Sequence, residues 1–94
     1  MFGYTVAMPS TPINEPVSVQ LLLDAEHQLI RPFRLKWRGK VYVVKEVGKY
    51  HPGRQGTVKL HYFTVNVGTL DMRIRIDGSS LVATLQYISD GLAD

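Results

Sequence analysis

The residues of this 94-residue chain best suited to chemistry are cations and aromatics crowded into its middle third. Residues 31–60 carry nine Lys and Arg against the single acid Glu46, a net charge of +8, whereas residues 1–30 carry −3 and residues 61–94 carry −2. Between Arg31 and Val47, Phe33, Leu35 and Trp37 alternate with Arg34, Lys36 and Arg38, and Lys40 follows Gly39. Such a block attracts anions: phosphate backbones, acidic protein surfaces or anionic lipid. Sheet proteins that hold single-stranded nucleic acid join a basic track for phosphates to aromatic faces for bases. The candidate contacts are Arg34, Lys36, Arg38, Lys40, Lys49 and Arg54 for phosphate, with Tyr50 stacking on a base. Trp37 is assigned to the core, because a small domain usually buries its one tryptophan. The bland alternative makes these cations the solvated face of a sheet, with lysines guarding its edges.

Other chemistries find less support. The absence of cysteine excludes disulfides, thiolate zinc sites and cysteine nucleophiles, and fits a reducing compartment. His27, His51 and His61 do not have the spacing of a metal motif, so no metal and no cofactor are expected. Ser79 and Ser80 follow Asp77-Gly78 in a turn without a nucleophile elbow, Asp71 and Asp77 flank a strand, and Gly53–Gly56 lacks the Gly-Lys-Ser/Thr end of a phosphate loop. A binding protein is expected rather than an enzyme. DNA or RNA is the first candidate partner, although no RNA-recognition signature, zinc finger or basic helix is present. The alternative partner is a second copy or another protein, pairing with an edge strand such as Val17–Leu23 or Thr57–Val67.

The elements that must position these residues are strands. Val17, Val19, Leu21 and Leu23 alternate with polar neighbours, apart from Leu22, as do Leu70, Met72, Ile74 and Ile76. Residues 31–47 read as a hairpin about Arg38-Gly39. A two-residue loop there would pair Leu35 with Tyr42; a bulge at Gly39 would instead set Val41 and Val43 beside Phe33 and Leu35. The bulged form is preferred because arginine resists the positive φ of a type I′ turn. Gly48–Gly56 reads as one long loop that joins the hairpin in a single contact surface. Thr57–Val67 is a strand apolar on both faces, and Gly68-Thr69 a turn. Residues 81–92 fit a strand to about Ile88, with a short C-terminal helix as the alternative.

The expected fold is all-β: a six-stranded antiparallel meander forming a curled sheet or small open barrel. Residues 1–15 are expected to be a flexible N-terminal arm, 16–90 a single domain and 91–94 a tail, with Met8 an alternative start. No apolar run approaches the ~20 residues of a membrane helix, and Met1–Met8 lacks a secretion-signal pattern, so no membrane partner and a cytoplasmic location are expected.

Trp37-Arg38-Gly39-Lys40-Val41-Tyr42-Val43-Val44-Lys45-Glu46-Val47, with Glu15-Pro16-Val17 upstream and Ser89-Asp90 downstream, resembles a family of small uncharacterised bacterial proteins. Its mark is Trp-Arg-Gly-x-x-Tyr-x-Val-x-Glu-Val. The family's tryptophan-rich segment after the hairpin is absent here, where Tyr50 stands. Members are often encoded near error-prone polymerase components, so the resemblance implies an accessory part in DNA repair.

Overall fold

The computed structural model of the chain describes residues 10–26 and 29–89. Its eight strands are β1 (Ser10–Pro16), β2 (Ser18–Asp24), β3 (Leu29–Trp37), β4 (Lys40–Val43), β5 (Glu46–Gln55), β6 (Val58–Asn66), β7 (Asp71–Asp77) and β8 (Ala83–Ser89). They form a five-stranded sheet in the order β1-β8-β7-β6-β5 and a three-stranded sheet in the order β2-β3-β4. Every pairing is antiparallel. Among the described residues there is no helix, so none is long and apolar enough to cross a membrane.

The all-β expectation holds, but the six-stranded curled sheet or barrel gives way to eight strands in two sheets. The chain changes sheet twice without a loop, at Val17 and at Val44-Lys45. Hydrogen bonds continue through both corners, from Val17 N–H to Ala83 O (3.0 Å), Val44 N–H to Phe33 O (3.0 Å) and Lys45 N–H to Asn66 O (2.7 Å). β-branched residues stay extended through such bends, so no turn signal marks the place where a strand leaves one sheet for the other.

Two segments read as irregular are edge strands. Ser10–Pro16, all but its last residue expected within the arm, pairs with β8 despite Pro12 and Pro16. An edge strand bonds on one side only and so tolerates proline. Residues 1–9 and 90–94 lie outside the described residues. The expected loop 48–56 is mostly β5, paired with β6 from Glu46 opposite Asn66 to Gln55 opposite Val58. Its glycine at 53 is a packing requirement, because a Cβ there would lie 2.7 Å from a ring carbon of Tyr62. Residues 83–89 are strand and not helix.

The hairpin register also differs from the preferred one. Trp37 faces Lys40 and Leu35 faces Tyr42, leaving Arg38-Gly39 as a two-residue turn with φ of +52° and +78°. That is the type I′ pattern. Between the sheets, Leu35 and Trp37 with the corner residue Val17 meet Phe63, Val65, Met72, Ile74, Ile76 and Leu85 in one buried core. Each fully buried side chain of this kind contributes about 1.5–3 kcal/mol. The inner apolar face of β6 is thus covered by the molecule's own second sheet.

Candidate nucleic-acid interface

The conformation of Arg38 is explained by a residue 23 positions away. At the end of β1 the Glu15 carboxylate accepts hydrogen bonds from Trp37 Nε1 (2.9 Å), Arg38 Nε (3.0 Å) and an Arg38 terminal nitrogen (2.6 Å). The Arg38 guanidinium also lies over the indole, 4.6 Å from a ring centroid. Charge-assisted hydrogen bonds and cation–π attraction offset the cost of the left-handed backbone. The Arg38 bonds, then the Trp37 bond, hold the Glu15 carboxyl below its ordinary pKa, and the same contact raises that of Arg38. This clamp ties an edge of the five-stranded sheet to the tip of the three-stranded one. Arg38 is thereby engaged within the protein.

The other predicted contacts do not form one surface. Leu35 and Trp37 point into the core, which sends Arg34 and Lys36 to the outer face of the three-stranded sheet beside Val43 and Val41. Lys40 lies over the Tyr42 ring at 5.2 Å. Lys49 sits in a bulge of β5, where Gly48 and Lys49 together oppose Thr64. Arg54 faces Lys59 near the β5–β6 turn. Tyr50, expected to stack on a base beside the hairpin cations, instead pairs with Phe63 on the inner side of the five-stranded sheet. Its ring lies 5.1 Å from that of Phe63, and its hydroxyl shares a 2.8 Å hydrogen bond with His61 Nδ1. The single hairpin-and-loop surface fails because 48–55 is a strand of the other sheet.

A better-organised set lies on the outer face of the five-stranded sheet. Burial of Phe63, Val65, Met72, Ile74 and Ile76 on the inner face turns Tyr62, Thr64, Arg73 and Arg75 outward. The register sets them in two cross-strand rows, His51–Tyr62–Arg75–Thr84 and Thr64–Arg73–Tyr87, with Lys49 at the β5 end of the second. Tyr62, Arg73, Arg75 and Tyr87 are half-buried, and the Arg73 guanidinium lies over the Tyr62 ring at 5.0 Å. Directly opposed residues stand ~4.5–5.5 Å apart, so the side chains form a continuous cation–aromatic surface. The buried Arg73 Nε has no hydrogen-bond partner among the described residues.

The overall charge count conceals this face. Residues 61–94 sum to −2, yet their described acids stand at strand ends. Asp71 accepts a hydrogen bond from Asn66 Nδ2 (2.8 Å), and Asp77 accepts from the backbone N–H groups of Ser79 (2.8 Å) and Ser80 (2.9 Å). The Ser80 and Ser79 bonds lower the pKa of Asp77. The Arg73-x-Arg75 alternation was the available signal, but the pairing with Tyr62 and Tyr87 needs the register.

His51 opposes Tyr62 on the outer row, whereas His61 contacts Tyr50 on the inner side, so the two histidines face apart. Among the described residues no group of three or more His, Cys, Asp or Glu is placed to hold a metal ion. Comparison with family models, curated proteins and solved structures finds no match to the chain.

Proposed function

We propose that the protein is an accessory binder of single-stranded DNA or RNA, not an enzyme, and that it holds the strand on the outer face of its five-stranded sheet. The observation that carries this reading is the Tyr62, Arg73, Arg75, Tyr87 surface, with one guanidinium already laid on an aromatic ring. Lys49, Arg73 and Arg75 contact phosphate, while Tyr62, Tyr87 and the flat guanidinium of Arg73 stack on bases. Arg34, Lys36, Lys40 and Arg54, all exposed, contribute attraction at a distance rather than contacts. The resemblance at Trp37-Arg38-Gly39 points the same way, to a part in DNA repair.

Fluorescence anisotropy of a labelled oligothymidylate tests the reading. Tyr62→Ala is expected to cost about 1–3 kcal/mol, the usual worth of one base stack, which is roughly a five- to 150-fold rise in Kd. Absence of binding at low salt by folded protein overturns it. A second reading, assembly with another copy, is favoured by the exposure of Leu22 (50%), Val41 (53%) and Val43 (51%) on the outer face of the three-stranded sheet. A dimer that persists at high salt and is dispersed by Val41→Lys would support it.

A further inference from the structure

A cleft of 570 Å³ lies between the β2–β3 end of the smaller sheet and β5, β6 and the β7–β8 turn. Its volume falls in the ~300–1,000 Å³ range of small-molecule sites. Leu21, Ile30, Phe63 and Ile76 supply apolar wall, and Leu81 stands at the turn. We propose that this cleft binds a small apolar monocarboxylic acid, its hydrocarbon part on these walls and its carboxylate at Arg31 and the Tyr50–His61 pair.

Three observations converge on this ligand. First, beside the buried Phe63 and Ile76, three apolar lining residues are more exposed than a closed core would leave them: Leu21 at 40%, Ile30 at 47% and Leu81 at 75%. Apolar surface gathered around a concavity marks a contact site rather than scattered surface leucines. Second, Leu81 adopts φ +62°, a left-handed backbone that bulky side chains rarely take. It is held there by the bond from its N–H to Asp77 O (2.8 Å) in a turn whose first residue caps Ser79 and Ser80. An apolar molecule that covers this exposed leucine removes its surface from water.

Third, the polar lining is complementary to an anion. Among the described lining residues Arg31 is the only permanent charge, and there is no carboxylate. The Tyr50 hydroxyl and His61 Nδ1 are hydrogen-bonded to each other. With the hydroxyl donating, His61 carries its proton on Nε2 and offers a donor. A guanidinium and an imidazole N–H together favour a carboxylate over an alcohol and disfavour an amine. This site is on the opposite side of the five-stranded sheet from the surface proposed for nucleic acid and does not depend on it.

The test is titration of the ¹⁵N-labelled full chain with sodium decanoate below its micellar range, beside decanol and decylamine. The expected result is saturable shifts at the Gly48, Tyr50, Gly78 and Leu81 amides, with decanoate at least about tenfold tighter than decanol and decylamine weaker still. Arg31→Gln should remove the preference for the acid. Leu81→Asn keeps a residue that tolerates the left-handed backbone, so the variant should stay folded while losing about tenfold in decanoate affinity. Equal affinity for acid and alcohol, or decanoate binding untouched in Leu81→Asn, overturns the proposal. So does a concentration-dependent shift of these amides without ligand, which assigns the cleft to a second copy of the chain.

Discussion

The salt dependence of oligonucleotide binding separates the two basic faces of the molecule quantitatively. On the five-stranded sheet the proposed phosphate contacts are Lys49, Arg73 and Arg75. With about 0.7 counterion released per single-strand contact, three contacts give a slope of about −2 in log K against log salt. Raising salt from about 50 to about 200 mM then weakens binding roughly 18-fold. Were the contacts those read from the sequence, less Arg38, which Glu15 engages, namely Arg34, Lys36, Lys40, Lys49 and Arg54, the slope would be about −3.5 and the loss over 100-fold. Arg73→Gln with Arg75→Gln keeps part of each aliphatic stem and is expected to reduce the slope to about −0.7. Arg34→Gln with Lys36→Gln should reduce the slope by less than the roughly 0.7 of a single phosphate contact. The assay is anisotropy of a labelled 15-mer at four salt concentrations, with each variant's melting temperature measured alongside. A slope near −3.5 that responds to Arg34 and Lys36 but not to Arg73 and Arg75 refutes the assignment and moves the strand to the smaller sheet.

Two further predictions concern the scaffold that carries this face. Glu15 and Asp77 have folded-state pKa values below their ordinary 4.5 and 3.8, so both contribute stability that is complete above those values and is lost as pH falls through the lower folded ones. The melting temperature should therefore drop on acidification below about pH 4.5, with Glu15→Gln and Asp77→Asn each flattening the curve and all three proteins converging at the acid end. Gly39 has φ +78° and open space around its missing Cβ, so Gly39→Ala should cost only backbone strain, about 1–2 kcal/mol in chemical denaturation. A neutral effect would mean that the turn relaxes to another type.

What could be read from the sequence was whatever depends on local alternation. The pattern of Met72, Ile74 and Ile76 marked one face of β7, and all three are buried; Trp37 was likewise recognisable as core. What could not be read depends on partners distant in the chain. Arginine is a poor residue for a type I′ turn by local rules, and only Glu15, reaching across from the other sheet, makes Arg38 acceptable there. Proline and glycine in 10–16 and 48–55 were read as irregular because the rule against them applies to strands bonded on both sides. The candidate site was displaced for a related reason: net charge by segment cancels Arg73 and Arg75 against acids, whereas Asp71 and Asp77, on the same face, stand at the two ends of the strand and are tied to Asn66 and to the Ser79–Ser80 turn.

The placement of β1 and β5 also bears on which kind of partner the protein can take. Thr57–Val67 was a candidate edge for strand addition, but β6 is flanked by β5 and β7 and has no free side. The edges of the larger sheet are β1, with Pro12 and Pro16, and β5, with Pro52 and the Gly48-Lys49 bulge. Prolines and bulges are the devices that prevent another chain from adding in register. Both edges also continue directly into the smaller sheet, β1 through Val17 into β2 and β5 back through Lys45 and Val44 into β4. An incoming strand would meet a corner within a few residues on either side. On the larger sheet recognition must then use a face, whereas β2, the other candidate, is an edge of the smaller sheet. The outer face of the larger sheet presents paired cations and aromatics on strands fixed by their neighbours, whereas the smaller sheet presents valines and two cations on a hairpin held at its tip by Glu15. Stacking requires rings held rigidly at fixed spacing, because a base gains little from a ring that must first be ordered. That requirement favours the five-stranded face for the nucleic-acid strand and leaves the three-stranded face to the field it adds.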